Sequence, residues 1–127
     1  MSHLKRITPL RVVADLEEEG MFYEAMGAER IETGSPECVG YKAANDSGVI
    51  LSSLRSAISS YGPFVANMLA QSGALYMHVD NIDQHLESLP EAKIIARSTI
   101  DGVEEAIIDT DGNLVVLART TAELLNA

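Results

Sequence analysis

The sequence predicts an α+β domain built from two βαβββ modules. The main observation is an order of strand, helix and three strands that occurs twice along the 127 residues. Residues 13–17 (VADLE) are also echoed by residues 79–83 (VDNID), so the first strand of each copy ends at an acidic helix cap. The repeat period of about 65 residues is too long for a solenoid and fits a domain of two modules.

Composition and charge narrow the class of protein. Apolar residues make up 46% of the chain, which indicates a globular fold, and no apolar run approaches the roughly 18 residues that span a bilayer. The N-terminus lacks the apolar stretch of a signal peptide, and Cys38 is the single cysteine, so neither a disulfide nor a cysteine zinc cluster is expected. The net charge of −10 argues against nucleic acid or an anionic membrane as partner. We therefore expect a cytoplasmic protein.

The first module is expected over residues 4–54. It opens with a strand over 7–14, and Asp15 then caps a helix together with Glu18. The apolar side chains expected on the inner face of this helix are Leu16, Phe22, Tyr23 and Met26. Gly27 stands where a left-handed helix end is favoured.

Three strands complete this module in the sequence. Turn residues at 34–36 and 45–48 separate strands over 28–34, 37–44 and 49–54. Residues 55–72 form the predicted connector, with a short helix over 64–71.

The second module is expected over residues 73–119. It contains a strand over 74–79, a helix capped by Asp80 or Asn81, and a stop at Pro90. Strands over 93–99, 103–109 and 114–118 follow, joined by turns that contain Asp-Gly. The tail at 120–127 is expected to form a short helix.

Three stretches carry a resemblance to the vicinal-oxygen-chelate superfamily, which includes glyoxalase I, extradiol dioxygenases, fosfomycin-resistance enzymes and bleomycin-binding proteins. The first is VADLE at 13–17 with FYEAMG at 22–27, the second is LYMHVDNID at 75–83, and the third is GVEE at 102–105 running into DTDGNLVVL at 109–117. They are similar to the family patterns V-x-D-L-E with F-Y-x-x-L-G, L-Y-L-x-V-D-D-V-D, and G-x-x-E with D-P-D-G-N-L-I-E-L. With the strands that carry these stretches, the resemblance covers residues 7–118, and the closest likeness is to the metal-free bleomycin-resistance-like members.

The resemblance implies a curled mixed sheet around a cavity, commonly completed in a homodimer. It also locates the positions that hold metal ligands in the metal-dependent members, and these are occupied here by Thr8, Ala74 and Val116. A hydroxyl, a methyl and an isopropyl group cannot replace the three or more N or O ligands that such a metal needs. We therefore expect no metal and no other cofactor.

Several polar side chains remain as candidates for a site. By strand alternation His78 shares a face with Ala74 and Tyr76, which the resemblance turns toward the cavity, where Thr8 and Val116 would also lie. An imidazole there suits ligand binding or proton transfer, and a strand-end histidine satisfied by solvent or Asp80 is the alternative. Glu104 and Glu105 are candidate acids or bases, and alternation turns only one of them inward.

Two arginines complete the candidate set. Arg55 is expected to end the fourth strand, where it could bind a carboxylate or phosphate through two hydrogen bonds. Arg11 occupies a strand position that is usually apolar, which suggests a β-bulge or a guanidinium aimed into a cavity or interface. For both, an ion pair in this acidic chain is the alternative that we favour.

Three functions stay open at this point. The leading one is metal-free binding of a small organic molecule by a homodimer. The second is a metal-independent lyase or isomerase that uses His78, Glu104 or Glu105 as acid or base. The third is a filled cavity that leaves only dimerisation or partner binding.

Overall fold

A computed structural model describes residues 3–100 and 102–120 of the chain. Within them lie eight strands and four helices, which form two compact units. One unit is Thr8–Gly73, and the other combines the chain start up to Ile7 with the chain from Ala74 onward. Each unit contains the order strand, helix and three strands, so the predicted α+β class with paired βαβββ modules is confirmed.

The first unit contains seven elements. They are β1 (Leu4–Val13), α1 (Leu16–Ala25), β2 (Glu29–Glu32), β3 (Cys38–Lys42), β4 (Gly48–Ser53), α2 (Leu54–Tyr61) and α3 (Pro63–Ser72), although β1 begins before the unit boundary. The strands lie in the order β2-β3-β4-β1, with β1 parallel to β4 and the other pairs antiparallel. The β1–β4 register runs without a shift from Leu10 opposite Ile50 to Val13 opposite Ser53, so no bulge interrupts these four pairs.

Helix α1 begins and ends where the sequence indicated. The Asp15 side chain accepts a hydrogen bond from the Glu18 backbone N–H at 3.1 Å, which satisfies one of the free donors of the first turn. Gly27 follows the helix with φ of 95°, a left-handed conformation that glycine adopts without a steric penalty. The cap therefore fixes where the chain leaves β1 and turns back over the sheet.

The apolar face predicted for α1 is wrong in part. Leu16 and Tyr23 do pack against the core of this unit, but Phe22 and Met26 are 58% and 73% exposed. The physical reason is Gly20, which is buried against the Tyr41 side chain and so places positions 16, 20 and 23 on the inner side. The core residues beneath them are Val13, Val39, Tyr41 and Leu51.

The connector consists of two helices rather than one. The expected helix over 64–71 is present as α3, but α2 was missed, and Arg55 lies in its first turn instead of ending the fourth strand. The cause is Ser53, whose hydroxyl oxygen accepts from the Ser56 backbone N–H at 3.0 Å and so starts a helix directly after β4. Gly62, with φ of 84°, separates α2 from α3.

The second unit repeats the arrangement with β5 (Ala74–Val79), α4 (Ile82–Glu87), β6 (Lys93–Ile100), β7 (Val103–Thr110) and β8 (Asn113–Thr120). Its strand order is β5-β8-β7-β6, and β5 runs parallel to β8. Asn81, one of the two residues proposed as the cap, accepts from the Gln84 backbone N–H at 3.1 Å. The core on the α4 side contains Val79, Ile82, Ala106, Ile108, Val115 and Leu117.

Strand alternation turns Leu75, Met77 and Val79 toward the α4 side of the sheet. Met77 and Val79 pack there, whereas Leu75, near the start of β5, is 42% exposed. The helix predicted over 120–127 lies outside the described residues except for Thr120, which ends β8. Among the described helices, none has the length and apolar character needed to cross a membrane.

We predict that Gly20→Ala lowers the free energy of unfolding by about 1–2 kcal/mol, because a Cβ at this position would overlap the Tyr41 hydroxyl oxygen. Tyr41 is 2% exposed and its ring stacks on that of Tyr23, so it has little room to yield. The overlap outweighs the gain of about 1 kcal/mol that alanine brings to a helix interior. Urea unfolding measures the change.

The matched control is Tyr41→Phe in the Gly20→Ala background. Removing the hydroxyl leaves a ring carbon 3.2 Å from the added Cβ, so part of the lost stability should return. A double variant no more stable than the sum of the two single changes would contradict this explanation.

Candidate functional site

One face of the second unit's sheet gathers most of the residues singled out from the sequence. The register places Tyr76 opposite Val116, and places Ala118 opposite both His78 and Glu105. Directly paired residues point to the same side of a sheet, so these side chains lie on the side that faces away from α4. We call Tyr76, His78 and Glu105 the polar triplet.

Tyr76 contacts both other members of the polar triplet. The Tyr76 hydroxyl donates a hydrogen bond to Glu105 Oε2 at 2.7 Å, and the Tyr76 and His78 rings meet edge to face with centroids 6.1 Å apart. All three residues are partly accessible. The surrounding side chains on the same face are apolar and buried, namely Ile107, Val116 and Ala118. This face of the sheet therefore combines three polar side chains with an apolar surface.

Burial raises the pKa of Glu105 to about 7, because a carboxylate loses hydration in this apolar setting. At neutral pH the group is consequently present in both protonation states, and it can donate or accept a proton. Glu104 differs because it lies on the opposite side of the sheet, directly across from Arg119. Strand alternation thus separates two neighbouring glutamates that the sequence left as equivalent candidates.

Val116 is only 1% exposed, so it forms part of the floor of this face rather than an accessible contact. Thr8 and Arg55 belong to the other unit. Thr8 is half-buried on β1, and Arg55 lies in α2 with its side chain exposed. The structure therefore brings Tyr76, His78, Glu105 and Val116 together within one unit.

The first unit has a cleft of about 330 Å³ that the sequence did not indicate. It lies between the start of α1 and the start of α2, and its lining includes Asp15, Glu17, Pro36, Glu37, Ser53 and Arg55. The Arg55 guanidinium forms an ion pair with the Glu37 carboxylate, and the Ser53 hydroxyl donates to Glu37 Oε2 at 2.5 Å. Arg55 thus takes part in an ion pair, the alternative that the acidic composition favoured.

Glu37 and Ser53 were not among the candidates from the sequence, because Glu37 stands in no recognisable motif and Ser53 was assigned to the interior of a strand. Hydrogen bonds from the Ser53 hydroxyl, which has the larger effect, and from the Arg55 guanidinium hold the pKa of the Glu37 carboxyl below its usual range. Ser53 could have been found as a helix cap, since a serine before a polar-apolar segment is a common helix start. Nothing in the sequence near Glu37 indicates its partner eighteen positions later.

Arg11 also forms contacts within its own unit. Its guanidinium donates to the Tyr23 hydroxyl at 2.8 Å and to Glu19 Oε2 at 3.3 Å. Both partners lie on α1, so the arginine links β1 to the helix that follows it. Arg11, like Arg55, therefore forms an ion pair, which is the alternative favoured from the sequence.

Thr8, Ala74 and Val116 occupy the positions that hold metal ligands in the metal-dependent members of the family that the sequence resembles. Val116 is a buried apolar side chain, and neither it nor Ala74 has a donor atom beyond the backbone. Across residues 3–100 and 102–120, no group of three or more His, Cys, Asp or Glu side chains is arranged to hold a metal ion. These side chains do not fit the divalent metal site of the metal-dependent members.

Comparison with known proteins gives matches among solved structures. No family model matches the chain, and no curated protein matches it. A structure from Legionella pneumophila described as an NAD-dependent benzaldehyde dehydrogenase is 15% identical and has a TM-score of 0.69, with 91% of this chain and 99% of that one covered.

Two further solved structures match the chain over most of its length. A glyoxalase/bleomycin resistance protein/dioxygenase superfamily member from Vibrio splendidus 12B01 has a TM-score of 0.55 at 15% identity, covering 93% of this chain and 99% of that one. Methylmalonyl-CoA epimerase from Mycobacterium tuberculosis has a TM-score of 0.55 at 14% identity, covering 98% and 91%. Identities this low establish the fold alone. On that basis the fold expected from the resemblance is confirmed, and the chain has the glyoxalase/bleomycin-resistance fold.

Proposed function

We propose that the protein binds a small organic molecule, without a metal, on the sheet face that carries the polar triplet. The observation that supports this most directly is the hydrogen bond from Tyr76 to a partly accessible Glu105 whose carboxyl group has lost much of its hydration. Sites for small molecules typically combine an apolar surface with a few convergent polar groups. The buried Ile107, Val116 and Ala118 provide the apolar part.

The chemistry of the triplet favours a ligand with both hydrogen-bond donors and acceptors. Glu105 accepts when ionised and donates when protonated, and near neutral pH it can adopt whichever form the ligand requires. The His78 imidazole adds a group that can also act in either sense. The resemblance and the composition further support a homodimer in the cytoplasm that uses no cofactor and binds neither nucleic acid nor membrane.

We predict that a thermal-shift screen with metal-free protein finds small organic acids or antibiotics that raise Tm, since a ligand specific for the native state stabilises it. For each such ligand, Tyr76→Phe should reduce the shift, because the hydroxyl that anchors Glu105 is lost. Tyr23→Phe serves as the matched control, since it removes a hydroxyl bonded to Arg11 in the other unit.

Two results would contradict this proposal. Stoichiometric Zn, Ni, Mn or Fe in the purified protein would show that metal chemistry is present after all. If no ligand in a broad screen changes Tm, or if Tyr76→Phe and Tyr23→Phe change the shift equally, the triplet is not the binding site. The third function would then be the better description, in which side chains fill this face and it serves only in dimerisation or partner binding.

A second function is favoured by one observation, the pKa of about 7 at Glu105. A general acid or base is most effective when its pKa lies near the working pH. In a metal-independent isomerase or lyase reaction, Glu105 would remove or return a proton next to a carbonyl group. His78, on the same face beside Tyr76, is the remaining candidate for the opposite proton transfer.

We expect ligands from the screen that carry a C–H next to a carbonyl to exchange that hydrogen with D2O on the protein. Proton NMR measures the exchange rate, and Glu105→Gln should slow it by about 10²–10⁴-fold, the usual contribution of a positioned acid or base. Glu104→Gln, with its side chain on the opposite side of the sheet, is the control and should leave the rate unchanged. Exchange that survives Glu105→Gln would rule out this role.

The raised pKa also predicts how stability depends on pH. Between the ordinary pKa of about 4.5 and the folded value of about 7, the folded state binds the Glu105 proton more tightly than the unfolded state does. The stabilisation is fully present below pH 4.5 and is lost as the pH rises to 7. Relative to Glu105→Gln, the wild type should therefore lose up to about 3 kcal/mol over this range.

Urea unfolding of both proteins at several pH values measures this difference, and comparison with the variant removes the effect of the other acidic groups. A difference that stays constant from pH 4.5 to 8 would show that the Glu105 carboxyl is well hydrated. It would also remove the main support for proton transfer by this residue.

A further inference from the structure

The outer face of α1 is apolar, although it points away from the core. Met21, Phe22 and Met26 are 67%, 58% and 73% exposed, and Ala25 is exposed as well. The inner side of the same helix already packs through positions 16, 20 and 23. A helix that covers a core on one side normally presents polar residues on the other. We call Met21, Phe22, Ala25 and Met26 the outer α1 patch.

Acidic side chains surround this patch. Glu17 and Glu24 stand four residues before and three residues after Met21, and Glu18 stands four residues before Phe22, so each lies beside an apolar member on the helix surface. All three glutamates are exposed. The helix itself carries no basic residue, because its sequence from Leu16 to Ala25 is LEEEGMFYEA.

Arg11 reaches α1 but leaves most of this charge in place. It contacts Glu19 and Tyr23. Glu19 stands three residues before Phe22, and the Tyr23 ring meets the Phe22 ring edge to face, so Arg11 lies near one edge of the patch. Its ion pair is with Glu19, and the carboxylates of Glu17, Glu18 and Glu24 lie elsewhere on the helix surface. The patch thus keeps a rim of three carboxylates in a chain with a net charge of −10. An apolar surface with such a rim attracts a partner that carries apolar side chains between positive charges.

Charge also disfavours other occupants. A second copy of the chain would bring the same glutamates against themselves, and a bilayer with anionic lipids would be repelled. Methionine adapts its shape readily, so a surface with two methionines and a phenylalanine accepts the uneven apolar side of a helix. Recognition of an amphipathic helix by apolar contacts at helical spacing is a common mode.

We propose that the outer α1 patch docks a basic amphipathic helical segment of a partner protein. Apolar side chains of the segment cover Phe22 and Met26, while its lysines or arginines meet Glu17, Glu18 and Glu24. This binding is separate from the polar triplet, which belongs to the other unit. It therefore does not depend on the small-molecule function proposed above.

The experiment uses the full chain and a synthetic 18-residue peptide of leucine and lysine, blocked at both ends and patterned with helical periodicity. A scrambled peptide of the same composition keeps the charge but loses the apolar stripe. Fluorescence anisotropy should show binding of the patterned peptide at least tenfold tighter than that of the scrambled one. Affinity should fall as salt rises from 20 to 300 mM, because the ionic contacts are exposed.

The variant Phe22→Ser/Met26→Ser removes the apolar centre and should weaken binding at least tenfold, and its far-ultraviolet circular dichroism should stay that of the wild type. Phe64→Ser is the matched control, since Phe64 is 76% exposed on α3. Glu17→Gln/Glu18→Gln/Glu24→Gln should weaken binding at low salt and flatten its salt dependence. These three results together would support the proposal.

Other outcomes would overturn it. If the patterned and scrambled peptides bind equally well, binding depends only on their net charge. If the Phe22→Ser/Met26→Ser variant binds the patterned peptide as tightly as the wild type does, the contact lies elsewhere on the protein. Sedimentation of the protein alone provides a further test. If the wild type forms a dimer that Phe22→Ser/Met26→Ser dissociates, the patch is a contact between copies of this chain. Absence of peptide binding to the wild type would equally reject the proposal.

Discussion

Parallel pairing of the first and fourth strands determines the arrangement within each unit. In the first unit β1 pairs in parallel with β4, and in the second β5 pairs in parallel with β8, while the β2–β3, β3–β4, β6–β7 and β7–β8 pairs are antiparallel. A parallel pair cannot be joined by a tight turn, so the chain must cross over. In both units a helix follows the first strand and forms part of that crossover. The intervening two strands then complete the sheet as hairpins. Whatever chemistry a unit carries is placed by this pairing.

The consequence for the second unit is specific. Because β5 lies beside β8 and β8 beside β7, residues from distant parts of the chain meet in one row. Tyr76 and Glu105 are 29 positions apart, yet their side chains form a hydrogen bond. The buried apolar residues beside them keep water away from the Glu105 carboxyl group, which accounts for its raised pKa. The reactivity expected of Glu105 is therefore a property of three paired strands and not of its local sequence.

The elements that the sequence predicted well are those with strong local signals. Asp15 and Asn81 cap their helices, and the strand from Ala74 to Val79 matches its expected bounds. The failures occur where a tertiary contact overrides the local pattern. The position of Gly20 against Tyr41 sets the rotation of α1 and leaves Phe22 exposed, although its apolar side chain suggested burial. Periodicity alone cannot show that a glycine marks the inner side of a helix.

Site residues divide in the same way. Alternation along one strand correctly grouped His78 with Tyr76, but the choice between Glu104 and Glu105 required the register of β7 against β8. The pairing of Glu37 with Arg55 depends on the turn before β3 meeting the first turn of α2, and no local pattern encodes it. Apolar periodicity and caps predict elements, whereas ion pairs between elements follow from their packing.

The attachment of Glu37 has a mechanical consequence for the cleft in the first unit. The backbone carbonyl of Glu37 accepts from the Ser53 N–H at 2.9 Å, while its carboxylate is held separately by the Ser53 hydroxyl and Arg55. Main chain and side chain are thus anchored by separate hydrogen bonds. Rotation of the carboxylate would release the guanidinium without moving the backbone, so the wall of the cleft can expose its two opposite charges separately while it keeps its shape.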